Sequence, residues 1–228
     1  MSKHRSKYEL HSTKVPVKMN GKSIKMWRMS GLVNCSVEVL FGATALSSNR
    51  KQYDGCLTQV NYLGYRSATD VQSKFSSSIM YEHYSYPIVN DRETICACTV
   101  KYETYTDRYW KRYIIAKKSI PYEQLARAKN TIRVEGISLH IVEQANAENT
   151  LSRYYRCEWI DMKGSIISWM WNRIVKRRAE LYSSRIEESV RDYRAKMPFP
   201  ETLITKKDEP LMETLVDYLK NNTPRHSA

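Results

Sequence analysis

EWIDMKGSIISWMWNRI, Glu158 to Ile174, changes its hydrophobic period partway along. Up to Asp161 it continues RYYRCEWID, whose β-branched and aromatic content reads as a strand. Beyond Ser165, apolar residues recur at Ile167, Trp171, Val175, Ala179, Tyr182, Ile186, Val190 and Tyr193, in steps of three or four. That spacing predicts one amphipathic helix from about Ser165 to Arg194. Arg173, Lys176, Glu180, Glu187, Arg191 and Arg194 occupy its far side, which is therefore wet. The apolar arc is too wide for a coiled-coil seam, so the helix needs a broad surface to bury it.

The residues upstream supply that surface. VPVKMNGKSIKMWRM, Val15 to Met29, predicts a hairpin turning at Asn20-Gly21. Val37, Leu40, Phe41 and Ala45 then take helical spacing behind Ser36, a plausible N-cap, for a short helix. From Cys56 to Asp161 six strand-like segments with short polar connections predict an antiparallel meander. Strands followed by one long helix give an α+β class: a helix-grip fold, a curved antiparallel sheet wrapped around a C-terminal helix. If the helix stands off the sheet, the space between them is an internal apolar cavity and the helix is its lid. The expected organisation is a basic tail (1–14), one domain (15–195) and an extension (196–228). Three prolines interrupt that extension before Leu211, Leu215, Tyr218 and Leu219 suggest a further short helix.

Charge narrows the partners. Of 228 residues, 37 are Lys or Arg and 24 Asp or Glu, a net charge of +13. Such a chain expects a polyanion: nucleic acid or the anionic face of a membrane. The five cysteines show no C-x-x-C spacing, and the first residues form no signal peptide, so reduced thiols and a cytoplasmic location are expected. No apolar run approaches the ~20 residues that span a bilayer, which leaves peripheral, transient membrane contact.

Catalytic patterns are sparse. His4, His11, His83, His140 and His226 have no metal-ligand spacing, and NGKS at Asn20 lacks the upstream glycine of a phosphate loop. No metal, cofactor or catalytic residue is assigned, and the expectation is a non-enzyme. A small-molecule enzyme in a grip-fold cavity stays open as an alternative, since fold does not fix function. So does nucleic-acid binding: RYWKRYIIAKK, Arg108 to Lys118, interleaves cations with aromatics that could stack on bases, although no recognisable nucleic-acid module accompanies it.

Four segments resemble a known family. RKQYDG (Arg50 to Gly55), YPIVNDRETICACTV (Tyr86 to Val100), IRVEGISLHIVE (Ile132 to Glu143) and IDMKGSIISWMWN (Ile160 to Asn172) occur in the order and spacing of the START lipid-transfer family, named for the steroidogenic acute regulatory protein. The segments around Ile132 and Ser168-Trp169 are most similar to its phosphatidylcholine-transfer branch. The resemblance implies a monomeric carrier of one lipid, a phospholipid or, alternatively, a sterol or other lipid. Tyr53-Asp54 stands for the family's Trp-Asp, Arg92-Glu93 for its Arg-Asp, and Asp161, Lys163 and Gly164 for its Asp-Leu-Lys-Gly. Cys98 stands where many members carry an arginine, so head-group identity does not carry over.

The lipid-binding expectation then covers Arg92 by family position, and Thr94, Cys96, Cys98, Val100 and Tyr102 by alternation on one strand face. Ile167, Met170, Trp171, Ile174 and Val175 are expected to face it from the lid helix. Membrane contact is expected at Tyr86, Ile88 and Val89 in the loop YSYPIVN, and at Lys176 and Arg177 on the helix. A two-chain lipid hides roughly 30 methylenes worth about 0.8 kcal/mol each, so a carrier must offer a bilayer-like interior and a gate.

Overall fold

The computed structural model describes residues 9–19, 22–45, 47–66, 75–86, 89–105, 110–164 and 168–196. Strands β1 (Glu9–Met19) and β2 (Lys22–Val33) form the expected hairpin, with Met19 opposite Lys22 across the two-residue turn. β1 begins at Glu9, inside the stretch assigned to the basic tail. Helices α1 (Val37–Ala45) and α2 (Ser47–Tyr53) carry the chain to the opposite edge of the sheet. There β3 (Leu57–Arg66), β4 (Phe75–Tyr86), β5 (Val89–Tyr105) and β6 (Trp110–Ser119) run antiparallel in turn. After β7 (Thr131–Arg133), a short parallel partner of β5, come β8 (Glu135–Gln144) and β9 (Ser152–Asp161), and then α3 (Ser168–Lys196).

The strand order β1-β2-β9-β8-β6-β5-β4-β3 is a meander only in part. β2 pairs with β9, the last strand, so the chain's first hairpin extends the sheet beyond its final strand. Hydrophobic period reveals that a segment is a strand but carries no information on which remote edge it joins.

Ser36 takes its N-cap place weakly, its Oγ accepting from Val39 N at 3.4 Å. A remote residue completes the cap: Asn149, in a left-handed turn at φ 52°, accepts from Val37 N at 3.0 Å. Of α1's residues only Glu38 is not buried, and Phe41 stacks on Tyr113 of β6 with ring centroids 4.2 Å apart. Tyr113 in turn meets Tyr102 at 4.8 Å, closing one end of the concave face with a solid aromatic plug.

α3 lies against α1 and α2 through Tyr182, Ile186, Val190 and Tyr193, all buried, while Arg173, Glu187, Arg191 and Arg194 are exposed as the period predicted. Its C-terminal half is pinned. Tyr182 Oη donates to Asp54 Oδ2 at 2.5 Å, Ser189 Oγ to Ala43 O at 3.2 Å, and Arg194 Nη2 to Asn34 O at 2.9 Å. Tyr193 crosses α1 so closely that a Cβ on Gly42 would lie 2.3 Å from its ring, so glycine is required there. No described helix is long and apolar enough to cross a membrane. The extension from residue 197 and its expected short helix lie outside the described residues, as does the basic tail before Glu9.

Candidate functional site

Toward the other end of the concave face, the sheet surrounds a pocket of about 560 Å3 of non-atom space, part of it continuous with solvent. A smaller space of about 320 Å3 adjoins it, and the two share Arg50, Lys117 and His140 in their walls. Arg92, Thr94 and Cys96 line the first; Cys98 and Val100 line the second. The alternation of β5 therefore places these five expected residues on the concave face. Tyr102 lines neither space and belongs to the aromatic plug. Ile174 is half-buried against the core. Ile167 lies outside the described residues, as do the side chains of Met170, Trp171, Val175, Lys176 and Arg177.

The expected membrane loop differs in form. Tyr84 opposes Arg92 and Tyr86 opposes Val89, so the β4–β5 ladder runs through both Tyr86 and Val89. Tyr86 is 5% exposed and lines the pocket, and Val89 is half-buried against the core. Neither stands out toward a bilayer, because strand pairing continues through Tyr86 and turns it inward. Ile88 lies outside the described residues.

The pocket wall is more polar than the expected apolar tunnel. Glu82 on β4 is 3% exposed. Its Oε1 lies 2.5 Å from Arg50 Nη1 of α2 and 2.7 Å from Lys117 Nζ of β6, and its Oε2 accepts from Tyr84 Oη at 2.5 Å. Burial alone would push this carboxyl up, but Arg50 and Lys117 outweigh it and hold the group well below the usual carboxylate range. On β9, Arg156 pairs with Glu158 and sits 4.7 Å over the Tyr182 ring, joining the pocket wall to α3. His140 is fully enclosed; burial, then Arg156, Lys117 and Arg50, drive its pKa well below the ordinary histidine value, so it is neutral. Lys117 also stands directly opposite Cys98 in the β5–β6 register.

None of Arg50, Glu82, Lys117, His140, Arg156 or Glu158 was expected in the pocket wall, yet a signal existed for three of them. Lys117 falls in step with Tyr113 and Ile115, His140 with Val142, and Arg156 with Tyr154, so each is a polar residue on the buried parity of its strand. Across β8 the polarity is inverted: His140 and Gln144 are buried while Leu139 and Ile141 on the other face are only half-buried.

The family motifs meet in space. Tyr53 packs edge-on to Tyr182 with centroids 5.2 Å apart, and Asp54 receives the Tyr182 hydroxyl, so this pair anchors α3. Arg92 Nε donates to Met162 O at 3.0 Å and Nη2 to Lys163 O at 3.5 Å, tying β5 to the turn that leads into α3. Lys163 and Gly164 take positive φ values of 45° and 74° in that turn. Glu93 faces the opposite way, bonded to Arg133 at 2.8 Å and Tyr81 at 3.2 Å, where it fixes the segment before β7.

Four residues of the basic aromatic run, Lys111, Arg112, Tyr113 and Lys117, are engaged internally. Tyr113 is 1% exposed, Lys117 is bonded to Glu82, Lys111 to Glu38 and Arg112 to Glu103. Tyr113 cannot stack on a base. All five cysteines are free, and burial pushes the Cys35 thiol up to about 12, with Cys96 and Cys98 also raised by burial. Those three are inert thiols that fill space. Among the described residues no His, Cys, Asp or Glu cluster could hold a metal ion.

The fold is similar to solved lipid-transfer structures. The chain superposes on human STARD10 with a TM-score of 0.68, over 94% of this chain and 80% of that one, at 13% identity. On the lipid transfer and protein localization domain of human StarD13 (DLC2) the TM-score is 0.60, over 80% and 84% of the two chains, at 19% identity. On human StAR-related lipid transfer protein 5 it is 0.60, over 85% and 89%, at 10% identity. No family model matches the sequence, and no curated protein does. The chain has the helix-grip fold of the StAR-related lipid-transfer domains, as its four motifs implied.

Proposed function

We propose that this chain binds a single phospholipid between the sheet and α3 and carries it between membranes. The observation that carries this reading is the division of the concave face: an aromatic plug at one end, and at the other a pocket whose wall combines apolar side chains with a bonded belt of charge. An amphiphile suits such a wall. Its head group meets the belt while its chains take the space beneath α3, shielded from water as the bilayer shielded them. The gate in this reading is the N-terminal half of α3 with the turn at Met162–Gly164, since the C-terminal half is pinned to α1 and α2. Surface lysines and arginines draw the carrier to anionic membranes, each contributing about 1 kcal/mol near the surface.

Organic extraction of the purified full chain followed by mass spectrometry tests it. The expected result is one lipid per chain, lost when Trp171 is replaced by alanine to a degree beyond any loss of stability. Protein that copurifies with no lipid, and takes none from vesicles, would sink the carrier reading.

A further inference from the structure

The charges that line the pocket do not balance. Arg50, Arg92, Lys117 and Arg156 face it against only Glu82 and Glu158. Both carboxylates are already engaged: Glu82 by Arg50, Lys117 and the Tyr84 hydroxyl, Glu158 by Arg156. Neither is left to receive a cation from a ligand.

The surplus positive charge has two sources. At Glu82 one carboxylate serves two cations, so Lys117 exceeds what neutrality needs. Arg92 is 2% exposed and its bonds all go to carbonyl oxygens: Met162 O, Asn90 O and Lys163 O. Among the described residues it makes no ion pair, and the Asp91 carboxylate next to it in the chain acts on it only from beyond bonding distance. These bonds occupy three of the five N–H groups that a guanidinium offers. Thr94, next to it on the same strand face, adds a hydroxyl to the pocket wall. The neutral state of His140, imposed by burial and by three of the surrounding cations, reports the same positive environment.

A buried guanidinium bonded only to dipoles is incompletely compensated, and so is a carboxylate's second cation. A sterol hydroxyl would leave both as they are. A zwitterionic head carries its own ammonium, so it brings no net charge to offset the surplus. We propose that the occupant carries a net anionic head group, a phosphate monoester or a carboxylate on an apolar tail, recognised through Arg92 and the surplus charge of Lys117. The inference rests on the carrier reading but not on the occupant being a phospholipid: phosphatidate or a fatty acid would offset the surplus charge, and phosphatidylcholine would not.

Delipidated full-length protein would be incubated with vesicles holding equal amounts of phosphatidate, phosphatidylcholine, palmitate and cholesterol, re-isolated, and its extracted lipid quantified. The expected result is enrichment of phosphatidate or palmitate over phosphatidylcholine by about tenfold or more, the factor that one charge-assisted hydrogen bond supplies. Enrichment of phosphatidate alone assigns a phosphate site; enrichment of both assigns a site for either anion. Lys117→Gln is the informative variant, because Lys117 is 8% exposed and its loss leaves the attraction of the outer surface to anionic vesicles in place. It should reduce the enrichment severalfold, and Arg92→Lys, which keeps the charge but not the fork, should reduce it through Arg92 alone. Bound lipid dominated by phosphatidylcholine or cholesterol overturns this inference and leaves the carrier standing. So does an enrichment that both variants retain, which would place the selectivity at the membrane surface. No bound lipid in any mixture overturns the carrier reading itself.

Discussion

Glu82→Gln isolates the centre of the charged belt. Arg50 and Glu82 are both under 5% exposed and Lys117 is 8%, so the substitution strands two buried cations without an anion. Removing one member of a buried pair typically costs about 3–5 kcal/mol, and in a chain of this size each kcal/mol shifts Tm by roughly 2–4 °C, so a fall of about 6–20 °C is expected. Lys117→Gln should be milder. It leaves the Arg50–Glu82 bond at 2.5 Å intact and removes one hydrogen bond to a charged group, about 1–3 kcal/mol. In the Glu82→Gln background the lysine is an unpaired charge, so adding Lys117→Gln should lower Tm no further and should recover part of the loss. The assay is thermal unfolding of delipidated protein by circular dichroism at neutral pH. Single-variant losses that simply add, or a Lys117→Gln loss as large as that of Glu82→Gln, would refute the surplus-cation account. The same set carries a pH signature. Because the folded carboxyl of Glu82 is depressed, its contribution is complete above the unfolded glutamate value near ~4.3 and is lost as pH falls below it, so acid should destabilise wild type more steeply than Glu82→Gln.

Tyr182→Phe deletes the donor to the fully buried Asp54 and should lower stability by about 1–3 kcal/mol, with faster lipid release from preloaded protein; unchanged Tm and release would separate this bond from the anchoring of α3. Gly42→Ala forces a Cβ to within 2.3 Å of the Tyr193 ring and should cost about 1–3 kcal/mol, partly recovered by Tyr193→Leu; a neutral Gly42→Ala would mean that α1 and α3 can separate freely. Transfer between vesicles should rise with anionic lipid and fall with salt, since screening acts over about 8 Å at physiological ionic strength, and equal transfer between neutral and anionic vesicles would detach the net charge from membrane recruitment.

The elements of this fold were legible where hydrophobic period and turn chemistry act over short range. The β1–β2 hairpin, the strand character of the segments from Cys56 to Asp161 and the helix through Tyr182, Ile186, Val190 and Tyr193 all follow from neighbours within a few residues. The seven residues of α2 were missed, because SSNRKQY has no apolar face and its place depends on Arg50 and Tyr53 finding remote partners in Glu82 and Tyr182. The pairing of β2 with β9 was missed for the same reason. At the site, alternation placed Thr94, Cys96, Cys98 and Val100, but an apolar wall was assumed, so Lys117, His140 and Arg156 were passed over despite sharing parity with buried neighbours. Burial of a charge becomes intelligible only once its counter-charge is known, and Glu82 lies 35 residues from Lys117 and 32 from Arg50.

The end of α3 and the turn that precedes the helix are held by interactions of different strength, and that difference bears on the proposed gate. At the far end, Tyr182 to Asp54, Ser189 to Ala43 and Tyr193 against Gly42 are buried contacts, whose loss would leave unsatisfied groups or open space inside the core. In the turn before the helix, the ion pair of Lys163 with Glu135 joins side chains 42% and 47% exposed, a class worth about 0–1 kcal/mol. The Arg92 bond to Lys163 O is long, at 3.5 Å, and its stronger bond to Met162 O holds the residue before the turn and not the helix itself. Opening the turn before α3 breaks a partly hydrated ion pair, whereas lifting the end of the helix breaks dry contacts. An anionic head group arriving at Arg92 would compete for the guanidinium that also holds this turn, so entry of the ligand and release of the helix start would draw on the same side chain.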